Sequence, residues 1–153
     1  MSQTQLKIVD LSILIAWAFG SHFYLIQPGT RYITLVLVSF GIPTLYLLLR
    51  NYSEALKVIT ASLLLVPVGI ILNYFAYTSG AWQAHDSIFA TRFFGSFVYE
   101  DFLWGILCFA YILSFYEHFI DTTHKKVVDT TRLAKKAFVY SGMLVSALIA
   151  III

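Results

Sequence analysis

The chain has 153 residues, of which 59% are hydrophobic and only 12% charged, about half the charged share usual in a soluble domain, and its mean hydropathy is +0.81. A water-soluble body of this size has too little interior to hide so much apolar surface, so an ordinary soluble globule is excluded and lipid is the expected solvent. The net charge of +2 gives no indication of nucleic acid as a partner, and the one cysteine, Cys108, excludes an intrachain disulfide and a cysteine-based zinc site.

Five apolar runs follow one another, each close to the roughly 20 residues that a helix needs to cross a hydrocarbon layer. The first, residues 8–26, has Asp10 near its start and His22 near its end. It is too long and too polar at its flanks for a cleaved signal, and reads as a retained span. Gln27-Pro28-Gly29-Thr30 reads as a turn. The second run, 32–49, holds Gly41 and Pro43, which predict a kink near its middle. A polar link from Arg50 to Glu54 leads to the third run, 55–75, with Ser53 expected to cap its helix and Lys57, Pro67 and Asn73 along it. Residues 82–97 are too polar around Gln83 to Asp86 to sit in lipid as a span. That segment is expected at the interface, where Trp82, Phe89, Phe93 and Phe94 fit well. The fourth run, 98–120, opens on Glu100-Asp101 and closes on Glu117-His118; a charged loop precedes the fifth, 137–153. The expectation is an all-α, polytopic transmembrane helical bundle of about five spans, forming a single domain over residues 1–153.

Basic residues set the expected orientation. With a cytoplasmic N-terminus, the inner side collects Lys7, Arg50, Lys57, Lys125, Lys126, Arg132, Lys135 and Lys136, against Arg31 and Arg92 outside. That bias satisfies the positive-inside rule and places the C-terminus outside. The Lys125 to Lys136 cluster is then topological first, with a lipid headgroup site as the lesser reading.

The acidic residues are the informative ones. Glu100 and Asp101 stand in the first turn of the fourth helix, where the helix dipole favours negative charge by about 0.3 to 1 kcal/mol. Simple capping near an interface would account for them, but the deduced topology brings company to the same depth: Asn73, Tyr74, Tyr77, His22, His85, Asp86 and Arg92. A carboxyl in a partly apolar pocket beside a second carboxylate retains its proton more readily, and such an acid can protonate a double bond. Aromatic ring faces stabilise the carbocation that forms. Trp104 and Cys108 follow Glu100 at four-residue steps, and Tyr111 and Phe115 roughly extend that face. At the helix's other end, Glu117, His118, Asp121 and His124 read as an interfacial salt-bridge network; they lack the H-E-x-x-H order of a zinc hydrolase.

The stretch from Asn73 to Asp121 carries a likeness. Ser79 to Trp82 ("SGAW"), Arg92, Gly95 and the acidic pair in "VYEDFLW" from Val98 to Trp104 resemble the lycopene cyclase domain of bacterial, archaeal and fungal carotenoid cyclases. In that family a Trp-bearing segment leads to a glycine and a Pro-x-Glu-Glu motif, whose acidic pair serves proton-initiated ring closure at the ends of a linear carotene. Here Val98 holds the proline position and Asp101 that of the second glutamate. The resemblance implies Glu100 as proton donor or cation stabiliser, Asp101 as its partner, and Asn73 and Arg92 orienting them. It further implies that Trp82, Trp104, Tyr111, Tyr77 and Gly95 line an elongated apolar cavity for a linear isoprenoid. No metal or redox cofactor is required by such a reaction. Because the family uses two modules, a homodimer or a second cyclase-like subunit is the expected partner, beside membrane lipids, in a prokaryotic cell membrane. Two other classes stay open: a non-catalytic membrane protein that binds lipid or isoprenoid or serves as a structural subunit, and a proton or solute carrier, which would need acidic groups at mid-bilayer depth.

Overall fold

The computed structural model describes residues 2–84, 86–89, 91–93, 95 and 97–120. Helix α1 (Gln3–Leu25) opens on a capping box: Ser2 Oγ accepts from the Gln5 N–H at 3.2 Å, and Gln5 Oε1 from the Ser2 N–H at 2.8 Å. The cap lets the helix begin at Gln3, ahead of the apolar run at Ile8. The turn after it is the expected one, with Gly29 at φ 85° and Thr30 Oγ1 donating to the Gln27 carbonyl.

The second helical stretch is interrupted where Gly41 and Pro43 predict a kink. Helix α2 (Tyr32–Val36) runs into a π-helical turn, Leu37–Gly41, and continues as α3 (Ile42–Arg50). Proline clashes with the carbonyl four residues back and has no N–H to give. The chain absorbs this by widening the turn, so that Ile42 N–H reaches back five residues to Leu37. In that register the donor facing the Val38 carbonyl is Pro43, which has none. The Trp17 indole N–H on α1 donates to it instead, at 2.9 Å.

Ser53 does not cap the third helix. A 3₁₀ turn, Tyr52–Glu54, is already wound at that point, with Glu54 N–H on the Asn51 carbonyl, so Ser53 is not in the extended conformation of an N-cap. Helix α4 (Ala55–Thr78) follows, carries Pro67 without breaking, and runs past Phe75 to Thr78, whose hydroxyl bonds back to the Tyr74 carbonyl at 2.9 Å. Gly80, at φ 74°, turns the chain into the connecting segment. Among the described residues there is no strand, only an isolated antiparallel bridge between Phe93 and Phe97, with Gly95 at φ 67° in its turn. Val98 and Tyr99 form the lead-in turn, so α5 (Glu100–Phe115) starts at the acidic pair; a second π-helical turn, Tyr116–Ile120, ends it.

Among the described residues, four helical stretches are long and apolar enough to cross a membrane: Gln3–Leu25, Tyr32–Arg50, Tyr52–Thr78 and Glu100–Ile120. They match the first four expected spans. The fifth, 137–153, and the basic loop before it lie outside the described residues. Helix α5 is central, packed on α4 along one side and on α2, the π turn and α3 along the other, while α1 touches the π turn from outside. Large apolar side chains such as Phe19, Phe23, Leu49 and Leu56 face outward. In water such a surface would be an aggregation site; against lipid it is what a spanning helix presents.

Candidate functional site

The acidic pair is buried on entry to α5, with Glu100 at 2% and Asp101 at 1% exposure. Adjacent positions on a helix diverge by about 100°, and the two carboxylates accordingly meet different surroundings. Glu100 turns to the connecting segment. Ser87 Oγ lies 2.8 Å from both of its oxygens, and the Ile88 N–H donates to Oε1 at 2.7 Å. Ser87 Oγ in turn accepts from the Phe89 N–H. Glu100 is thus the post to which residues 87–89 are tied, and its donors, a hydroxyl and a backbone N–H, suit a carboxylate.

Asp101 turns inward. Its Oδ1 accepts from the Tyr32 hydroxyl at 2.7 Å, across 69 positions of sequence, and its Oδ2 is buried with no hydrogen-bond partner. Tyr77 approaches Asp101 without closing a hydrogen bond; its hydroxyl accepts from the Ala84 N–H at 3.0 Å. Asp101 also borders α4. There a crevice opens between α4 and α5, lined by Gly69, Asn73, Phe97, Asp101, Phe102 and Gly105 among others. Its water-accessible space is about 10 Å³, room for about one water. A Cβ placed on Gly105 would meet nothing within 4 Å, so the missing side chain is part of that space.

The other expected site residues divide between this crevice and the opposite side of α5. Asn73 lines the crevice beside Asp101. Arg92 donates from Nη2 to the Ala84 carbonyl at 3.3 Å and forms no ion pair with Glu100 or Asp101. Trp82 stacks on Trp104 at 6.4 Å and tilts against Tyr32; Trp104 and Tyr111 both meet Phe40 edge-on from the second helical stretch. Trp104 and Tyr111 therefore face away from α4 and do not share one cavity with Asn73. Gly95 is exposed in its turn, where positive φ is the requirement it meets. Cys108 is half-buried on α5 and His22 is exposed on α1, with its ring against Phe23; His85 and Phe94 lie outside the described residues. Tyr32, Ser87, Phe97, Phe102 and Gly105 complete the site, and sequence reasoning did not single them out. Gly105 carries a usable signal, since it lies four positions after Asp101. Tyr32 and Ser87 carry none.

A second buried polar cluster occupies the opposite end of the bundle. Asp10, 1% exposed on α1, accepts from Arg50 Nε at 2.9 Å and from the Tyr46 hydroxyl at 2.6 Å, and its Oδ2 lies 2.9 Å from His118 Nε2. His118 Nδ1 stands 3.3 Å from Asn51 Oδ1, and nearby Lys57 pairs with Glu117 at 2.7 Å. The π turn at Tyr116–Ile120 carries His118 at this end. The network expected around Glu117 and His118 forms here with Asp10, Arg50 and Lys57; Asp121 and His124 lie outside the described residues.

No protein-family model, curated protein or solved structure matches this chain.

Proposed function

We propose that the chain is an integral membrane protein of a prokaryotic cell, with its Asp10 end cytoplasmic, that cyclises the end of a linear carotenoid or similar isoprenoid by proton transfer from Asp101. The observation that carries this reading is the Asp101 Oδ2: a buried carboxyl oxygen with no partner, beside a crevice otherwise lined by apolar side chains and Asn73. An unpaired carboxylate there would cost several kcal/mol, and a neutral acid avoids that cost. The O–H bond of Asp101 breaks as a C–H bond forms at the terminal alkene. The resulting carbocation is closed by a second double bond, and loss of a ring proton returns the acid, so the net change is an isomerisation. Phe97 and Phe102 present ring density at the crevice, Asn73 lines it beside the acid, and Glu100 ties residues 87–89 to the start of α5. The end group enters as α4 and α5 part beside Gly105, where a Cβ would meet nothing within 4 Å. Trp82, Trp104, Tyr111 and Tyr77 support this wall of the bundle, and a second copy or a second cyclase-like subunit completes the site. Basic residues agree with the orientation: Lys7, Arg50 and Lys57 share the Asp10 end, and Arg31 and Arg92 the other.

The test is conversion of a linear carotene by the full chain in membranes. Asp101→Asn abolishes ring formation while the protein folds, and Glu100→Gln lowers it by loosening the segment tied to the start of α5. Unchanged turnover in Asp101→Asn would overturn the assignment. A second reading, a non-catalytic membrane protein serving as a structural subunit, is favoured by the size of the crevice, which is far below the roughly 300 Å³ of a typical ligand pocket. A wild-type chain that neither binds nor converts the carotene supports that reading instead.

A further inference from the structure

We propose that Tyr32 is a positioning residue for Asp101, fixing Oδ1 as the carbonyl oxygen so that the acid's proton rests on Oδ2 and is aimed into the crevice between α4 and α5. This rests on the reading of Asp101 as a neutral acid. Tyr32 is held firmly. It is 8% exposed, packs with Val36, Ala84 and Val98, and its own N–H donates to the Asp86 carbonyl at 3.4 Å. A buried phenol hydroxyl has to donate somewhere, and among the described residues the acceptor within reach is Asp101 Oδ1, at 2.7 Å. An oxygen that accepts this bond cannot also direct a proton along it. The acid's proton therefore falls to Oδ2, the oxygen with no other partner.

The same bond assists the transfer itself. When Oδ2 gives up its proton the carboxyl becomes an anion, and a hydrogen bond to an ionised acceptor is roughly twice as strong as one between neutral groups. Tyr32 thus binds the state after transfer more tightly than the state before it, which is what raises turnover rather than affinity. The groups that face Asp101 from the packed elements are Glu100 on α5, Tyr32 on α2, Asn73 and Tyr77 on α4, and Arg92 in the connecting segment beyond Tyr77. Of these, Tyr77 is the rival donor.

The experiment is infrared spectroscopy of the full chain in lipid vesicles without substrate, with the Asp101 carboxylic C=O band identified by its loss in Asp101→Asn. In wild type the band lies at the frequency of a hydrogen-bonded carbonyl. It moves up in Tyr32→Phe and stays in place in Tyr77→Phe. A band that does not move in Tyr32→Phe, one that moves in Tyr77→Phe instead, or no carboxylic band lost in Asp101→Asn would each overturn the proposal. Should Tyr32→Phe fail to fold, the wild-type frequency decides, since a free-carbonyl position is incompatible with the bond. Turnover is a separate readout: Tyr32→Phe lowers kcat by about tenfold with KM unchanged. Absence of turnover in wild type sinks the cyclase reading while leaving the spectroscopic result standing.

Discussion

Asp101 and Glu100 are neighbours in sequence, and the structure gives them separate work because one helical step turns them to different partners. Their position at a helix start and their acidity were legible in the sequence, as was Asn73 near the end of its helix. What separates them was not, since it depends on Tyr32 and Ser87, which reach the pair through folding alone. Gly105 offers the sharpest residue-scale prediction. Glycine inside a helix costs about 0.5 to 1 kcal/mol relative to alanine, and here nothing lies within 4 Å of the absent Cβ. Gly105→Ala should therefore raise the unfolding temperature in detergent while its methyl group takes up crevice space and reduces carotene conversion. A variant with both higher stability and full activity would show that the crevice is not used.

At the scale of the element, the kink expected from Gly41 and Pro43 is present as a π-helical turn, and its consequence was invisible in the sequence. Nothing in the spacing of Trp17 and Val38 announces that an indole on one helix satisfies a carbonyl that a proline strands on another. The bond makes a defined prediction. Trp17→Phe leaves that carbonyl without its donor and costs about 1 to 3 kcal/mol. In a Pro43→Ala background the restored N–H can serve the freed backbone, so the same change costs less, and a double-mutant cycle in thermal unfolding should show coupling between the two positions. Additive effects would separate the indole from the proline. Ser53 teaches the complementary lesson: a residue suited to a cap does not become one when the preceding turn is already wound.

Across the whole molecule, the number and order of the first four spans could be read from hydrophobic length, because each run must satisfy its backbone internally. Their neighbours could not, because the apolar faces give little sense of which helix meets which. A soluble helix shows its core-facing side as an apolar stripe; here lipid and protein interior are equally apolar, and polar residues specify the contacts. The two buried clusters do so at opposite ends, one joining α2 to α5 through Tyr32 and Asp101, the other joining α1, α3 and the end of the fourth stretch through Asp10, Arg50 and His118.

Helix α1 buries only Asp10 and Leu14, and that has a consequence for assembly. In lipid its remaining surface gains little by leaving the acyl chains, so its docking depends on Asp10 and the Trp17 indole rather than on apolar area. The remaining helices are then the template and α1 the last piece to arrive. Two separately translated chains, divided at Gly29, should reassemble in the membrane and co-purify. Asp10→Asn on the shorter chain should abolish that recovery, and co-purification unaffected by the change would show that some other contact recruits the first helix.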